Sequence, residues 1–257
     1  MPRAGLLLLP FLLCFGPETA GSIDPAALKV IVDYVNQPIT LREFQYAFVV
    51  SLRREKCDQP TNLQEQLPKE ALNDMNKALT KQGSQYIPNN WPIVAARPKS
   101  QRTHWEHSER RLLNGGQNSL VAQLKARTCT PNCCLILFTF NSPCTSMCLV
   151  ENGPYNILSM TSNTFSDVNN NYKAFVFQRI YANDTRPVVT RHELLQAWHR
   201  LPNVSLLRCD HNGCQDCAAT DPENNPCLAG KIRNGAGNRV RLFLPLASLA
   251  AHVLLAR

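Results

Sequence analysis

A chain of 257 residues has room for one ordinary core with appendages and not for two full domains. Its formal charge of +8 favours polyanionic company (nucleic acid, anionic glycans, acidic surfaces) without choosing among them. The basic residues are scattered (Arg53, Arg54, Lys99, Arg102, Arg110, Arg111), so most read as solvated charge.

The first element is an export signal. Arg3 supplies a positive start, residues 6–15 an apolar stretch and Thr19-Ala20-Gly21 the small residues before a cut, so residues 1–21 read as a signal peptide. Pro10 and Pro17 argue against a buried helix there, and the stretch is too short to span a bilayer. Removing Cys14 with the signal leaves ten cysteines, an even number that suits disulfides in an oxidising compartment. Two Asn-x-Ser/Thr triplets, at Asn183 and Asn203, fit the same route as glycosylation acceptors.

Residues 26–35 have helical apolar spacing, with Leu28, Ile31, Val32 and Val35 on one side after an Asp24-Pro25 start. Residues 44–52 and 91–96 read as strands. The polar insertion between them, about 56–90, carries a helix at 68–79 on which Leu72, Met75 and Leu79 recur. A helix-like run opens at His107 and extends toward Gly115-Gly116, and residues 135–140 form a compact apolar strand. Ser142-Pro143 follows; proline suits the first helical position, which predicts Cys144 in a helix's opening turn. A strand at 174–181, a helix at 191–201 and a short strand at 204–207 complete the main body. The alternation predicts an α/β layer with parallel crossovers in this later half, and a hairpin of the first two strands around the insertion.

The pattern that carries chemistry is His107-Ser108-Glu109, then, after a strand, Pro143-Cys144 and Cys148. Zinc binds thiolates and imidazole, and a catalytic site stops at three protein ligands so that water can take the fourth place. On a helix, residues four apart lie about 40° from each other around the axis, so Cys144 and Cys148 would face one metal with His107. Glu109, beside the metal without ligating it, would move protons. His104-Trp105-Glu106 is an overlapping alternative, disfavoured because Leu112 and Leu113 continue the buried side of a helix from His107. Cys129 and Cys133 repeat the cysteine spacing but precede the strand, whereas α/β sites lie at strand C-terminal ends. All ten cysteines could also pair; with two on zinc eight remain, so parity does not decide, and the co-occurrence of both motifs favours metal.

These residues resemble the zinc deaminase signature of the AID/APOBEC-like deaminases, and the export signal points to a secreted branch. The resemblance covers roughly Phe44 to Cys209, on His-Ser-Glu-Arg-Arg-Leu-Leu from His107, Phe-Asn-Ser-Pro-Cys from Phe140 and Gln-Arg-Ile-Tyr from Gln178. It implies a cytidine-deaminase-like, five-stranded mixed α/β sheet flanked by helices, here in residues 22–208. The implied activity is zinc-dependent deamination of cytosine to uracil in single-stranded DNA or RNA, and the implied role is extracellular immune defence. It places Tyr181 at a base pocket, with Phe140, Asn141 and Ser142 as further substrate-binding residues. Departures are the three-residue cysteine spacing, where two is commonest, and Asn141 in place of a tryptophan. The sequon at Asn183 lies just beyond Tyr181, where a glycan would crowd a polynucleotide more than a free nucleoside.

Residues 209–233 form a cysteine-rich extension (Cys209, Cys214, Cys217, Cys227), read as a disulfide knot in preference to a second zinc site. Residues 234–257 are an apolar tail: either a packed helix or the removable part of a lipid-anchor signal that would leave the protein at the outer cell surface. The alternative functions are a deaminase of free nucleosides or modified bases, and a catalytically inactive secreted nucleic-acid-binding protein on the same scaffold.

Overall fold

The computed structural model describes residues 23–41, 43–129 and 132–231. The expected signal peptide at 1–21 and the expected tail at 234–257 lie outside them. Helix α1, Pro25–Asn36, starts where Asp24 accepts hydrogen bonds from the backbone N–H groups of Ala26 and Ala27, and its buried stripe is Ala27, Leu28, Ile31, Val32 and Val35. Strand β1 (Ala47–Arg53) runs into the short α2 (Arg54–Asp58), and the insertion contains α3 (Lys69–Thr80), buried through Ala71, Leu72, Met75 and Leu79. Then follow β2 (Gln85–Tyr86), β3 (Ile93–Ala96), β4 (Lys99–Ser100), β5 (Trp105–Glu106), α4 (Ser108–Leu113) and α5 (Leu120–Thr128). The later half is β6 (Cys133–Asn141), α6 (Leu158–Phe165), β7 (Lys173–Arg179), α7 (Arg191–Trp198), β8 (Leu206–Asp210) and β9 (Gly213–Asp216).

The main sheet has the order β2-β3-β1-β6-β7-β8-β9, while β4 and β5 form a separate ribbon. Strand β1 is antiparallel to β3 and to β6, so the first two long strands do make a hairpin around the insertion. Strands β6, β7 and β8 are parallel, joined by crossovers that carry α6 and α7. The five expected strands thus occupy the centre of a seven-stranded sheet, and β2 and β9 are edge additions. Both are too short to show an apolar alternation. Strand β9 exists because the turn after Asp210 closes at Gly213, which has φ +113, and folds the chain back on β8.

Side-chain alternation divides the core into two. Leu135 and Leu137 of β6 and Phe175 and Phe177 of β7 join α4, α5, α6 and α7 on one face; Ile136, Phe138, Ala174 and Val176 join α1 and α3 on the other. Because helices cover both faces, β6 is an unbroken buried run from Cys133 to Phe140, as is expected of an interior strand. Helices α5 and α6 escape the sequence pattern because few apolar residues mark them: each buries only two side chains, Val121 and Leu124 in one, Thr161 and Phe165 in the other.

Four disulfides are formed among the described residues: Cys57–Cys134, Cys129–Cys133, Cys209–Cys214 and Cys217–Cys227. The cysteine-rich extension is therefore cross-linked within itself. Cys57–Cys134 ties α2 to β6 across 77 residues. A loop of that length restricts the unfolded chain by roughly 4–5 kcal/mol, so Cys57→Ala with Cys134→Ala is expected to lower the unfolding free energy by about that amount. The check is the guanidinium midpoint, and an unchanged midpoint would show that this cross-link does not set the stability.

Candidate functional site

His107 precedes α4 in extended conformation (φ −68°, ψ 153°) as its N-cap residue, while Glu109 follows in the first turn. Leu112 and Leu113 bury the next turn of the same helix and fix its rotation. At the other side, β6 ends at Asn141 and the chain turns through Pro143. The helix predicted to open at Cys144 does not form. Residues 145–149 are an irregular turn in which the Cys148 N–H goes to Cys144 Sγ at 3.3 Å and the Leu149 N–H goes to the Cys144 carbonyl at 3.1 Å. The amide that would close a helical turn on the carbonyl is diverted to the sulfur. Asp184, buried after β7, holds this turn by accepting from the Thr145 N–H (3.1 Å) and hydroxyl (2.7 Å).

The turn brings both sulfurs to the imidazole. His107 Nδ1 is 3.1 Å from Cys148 Sγ and 3.7 Å from Cys144 Sγ, and the two sulfurs are 3.3 Å apart. Cys144 and Cys148 are free and buried, whereas the eight other cysteines of the described residues are paired. The hydrogen bond from Cys148, outweighing burial, holds the Cys144 thiol down to about 4; that same bond, with burial, pushes the Cys148 thiol up. Burial would lower the His107 pKa, but the hydrogen bond with Cys144 and the charges of Glu109 and Cys144 leave it raised. Three donors within 4.8 Å of one another, two of them soft sulfurs and one already favouring thiolate, can all reach a single metal ion at about 2.0–2.3 Å. His104 is not among them: its ring packs against Tyr155 in a tilted pair with centroids 4.0 Å apart.

Glu109 is fully buried against this cluster. Its Oε1 accepts from the Thr139 hydroxyl at 2.6 Å and from Gln45 Nε2 at 3.0 Å, while Oε2 has a long contact, 3.4 Å, from the Ser108 hydroxyl. Burial raises its pKa, against the opposing charge of His107 and the hydrogen bond from Thr139. Thr139 reaches Glu109 because it shares the face of Leu137, on the α4 side of the sheet. Gln45 also accepts the Asn141 N–H on its own Oε1 at 2.9 Å, so one amide braces both the carboxylate and the end of β6.

His107, Glu109 and Cys144 face a cleft of about 500 Å³. Asn141, Ser142 and Tyr181 line it, as do Arg97, His104 and Trp105 from the β4–β5 side. The Tyr181 ring lies 6.4 Å from the His107 ring, and its backbone N–H donates to Ser142 Oγ at 3.0 Å. Phe140 is not brought into the cleft: alternation sends its ring to the opposite face, where it stacks on Tyr46 with centroids 5.6 Å apart. Gln45, Thr139, Asp184, Arg97 and Trp105 were not singled out from the sequence. Thr139 alone had a signal, as the one hydroxyl residue within the apolar run of β6.

A family model described as Secreted Novel AID/APOBEC-like Deaminase 1 matches residues 25–231. No curated protein and no solved structure matches the chain.

Proposed function

The chain belongs to the secreted AID/APOBEC-like deaminases, and from this membership we propose that it is a zinc-dependent hydrolase converting cytosine to uracil in single-stranded DNA or RNA outside the cell, with a role in defence. The observation that carries the reading is the placement of Glu109: a buried carboxylate with one oxygen pinned and the other less engaged, beside a His-Cys-Cys cluster in an open cleft.

His107, Cys144 and Cys148 would hold the zinc, which when bound supplies the Lewis acidity that makes a water nucleophilic at neutral pH. Gln45 and Thr139 hold Oε1 of Glu109, leaving Oε2 to take the proton of the attacking water and pass it to the ring nitrogen and the departing amine. Tyr181 offers the base an aromatic surface, and Asn141 and Ser142 offer polar groups to its edge.

A polynucleotide substrate is supported by the aromatic residues around the cleft. Phe44 is exposed, His104 pairs with Tyr155, and Trp105 is 45% exposed; such surfaces stack bases. A cleft of about 500 Å³ also has room for a free nucleoside, which is the second reading. Incubating the purified protein with cytosine-containing oligonucleotides and with cytidine separates the two, and metal without turnover on either would favour a non-catalytic scaffold. The four disulfides fit an extracellular protein, as the family's description states, and no helix among the described residues is long and apolar enough to cross a membrane.

The brace on Glu109 has its own expected result. Gln45→Met keeps the length of the side chain and removes its amide, and should lower kcat by roughly 10-fold or more, the usual cost of losing a supporting hydrogen bond at a metal site. KM and zinc content should hardly change. Steady-state kinetics beside metal analysis reads this, and an unaltered kcat would show that Thr139 alone suffices.

A further inference from the structure

Both Asn-x-Ser/Thr triplets lie within the described residues, and their asparagines are exposed, but their surroundings differ. Asn203 precedes β8 at the start of the parallel strands, where its Nδ2 donates to Ser162 Oγ at 2.9 Å; this is the end of the sheet away from the cleft. Asn183 stands next to a residue that lines the cleft. Its Nδ2 donates to the Tyr181 hydroxyl at 3.1 Å, and Tyr181 is a lining residue 6.4 Å, ring to ring, from His107. The turn that carries it, Ala182–Thr185, is anchored from both directions. Asp184 is buried beneath it on the Thr145 hydroxyl, and the Thr185 hydroxyl donates to the Ala182 carbonyl at 2.6 Å. A group attached to Asn183 would therefore rise from a fixed base and not from a loose loop tip.

We propose that Asn183 carries an N-linked oligosaccharide whose stem stands at the lip of the cleft and weakens the binding of polynucleotides while leaving free nucleosides able to enter. The proposal rests on the reading of this cleft as the nucleobase site. The sugar arrives from a lipid-pyrophosphate-linked oligosaccharide donor. The bond between Nδ2 and the anomeric carbon forms as the bond from that carbon to the pyrophosphate oxygen breaks, and the amide proton leaves with the lipid pyrophosphate. One N–H remains on Nδ2, so a donor for the Tyr181 hydroxyl is retained after the modification. A nucleoside needs only the space of the cleft. A strand must also pass its flanking nucleotides across the rim, where the stem crowds them.

The test uses the full chain recovered from the medium of a eukaryotic secretory host and loaded with zinc. Glycopeptide mass spectrometry reads occupancy at Asn183 and Asn203. Asn183→Gln and Thr185→Ala each abolish the first acceptor by a different change, and Asn203→Gln is the control. Affinity is measured by anisotropy for a fluorescein-labelled single-stranded DNA with one internal cytosine, and by calorimetry for cytidine. The expected result is an occupied Asn183, with both variants binding the DNA about tenfold more tightly than wild type. Cytidine affinity and the Asn203→Gln protein should stay as they were. An unmodified Asn183, equal DNA affinity in occupied and unoccupied forms, or DNA binding by neither would overturn the proposal. Failure of the deaminase reading is seen separately, as an absence of uracil from every zinc-loaded form whatever the occupancy and affinities show.

Discussion

Glu109→Gln is expected to reduce uracil formation roughly a thousandfold, within the range a positioned proton-transfer group contributes. The replacement keeps shape and most contacts. The carbonyl oxygen of glutamine can still accept from Thr139 and Gln45 at the position of Oε1, so α4 and the sulfur cluster should stay in place. What disappears is the second oxygen's ability to take and return a proton. Because Glu109 is fully buried, bulk water is poorly placed to substitute for it. The measurement is deamination of a cytosine-containing oligonucleotide by wild type and variant at equal zinc content. A variant within a few-fold of wild type would assign the proton transfer elsewhere and remove the main support for the proposed mechanism.

The second large effect is on the metal. His107→Ala and Cys144→Ser each take one donor from a set of three, and zinc affinity should fall by more than the about 100-fold that a lost supporting partner costs. Metal analysis after gel filtration should read one zinc per wild-type chain and almost none in either variant. The core should survive, since the apolar residues of β6 and β7 on either face, and not the cluster, hold the sheet together. A non-reduced peptide map should show the four disulfides together with free thiols at Cys144 and Cys148. If either cysteine is found joined to another sulfur, no three-donor site remains and the enzyme reading fails with it.

Much of the architecture was legible because it is local. The periodicities of α1, α3 and β6 follow from burial on one helix stripe or between two covered faces, and each is visible in a short window of residues. The edge strands and the thinly apolar α5 and α6 were not legible, because neighbours and not their own pattern stabilise them. The same division runs through the site. His107 and Glu109 are two residues apart, and Cys144 and Cys148 four apart, so a motif could hold them. Gln45 comes from 64 residues before Glu109, and the signal for such a contact is not local. Phe140 shows the converse: it stands inside the motif, yet the alternation of β6 turns it away from the cleft that Asn141 and Ser142 line.

By itself, therefore, the amino-acid order determined which side chains could form a three-donor metal site with a carboxylate beside it, and the order of the main strands and helices that lead there. Tertiary structure alone decided three further things: how the eight other cysteines pair, that the Cys144–Cys148 segment is a turn closed on sulfur, and which distant residues brace Glu109. The physical reason is range. Propensity and periodicity act over a few residues, whereas disulfide partners and buried hydrogen bonds are selected by which side chains the packed sheet places within about 3 Å of one another.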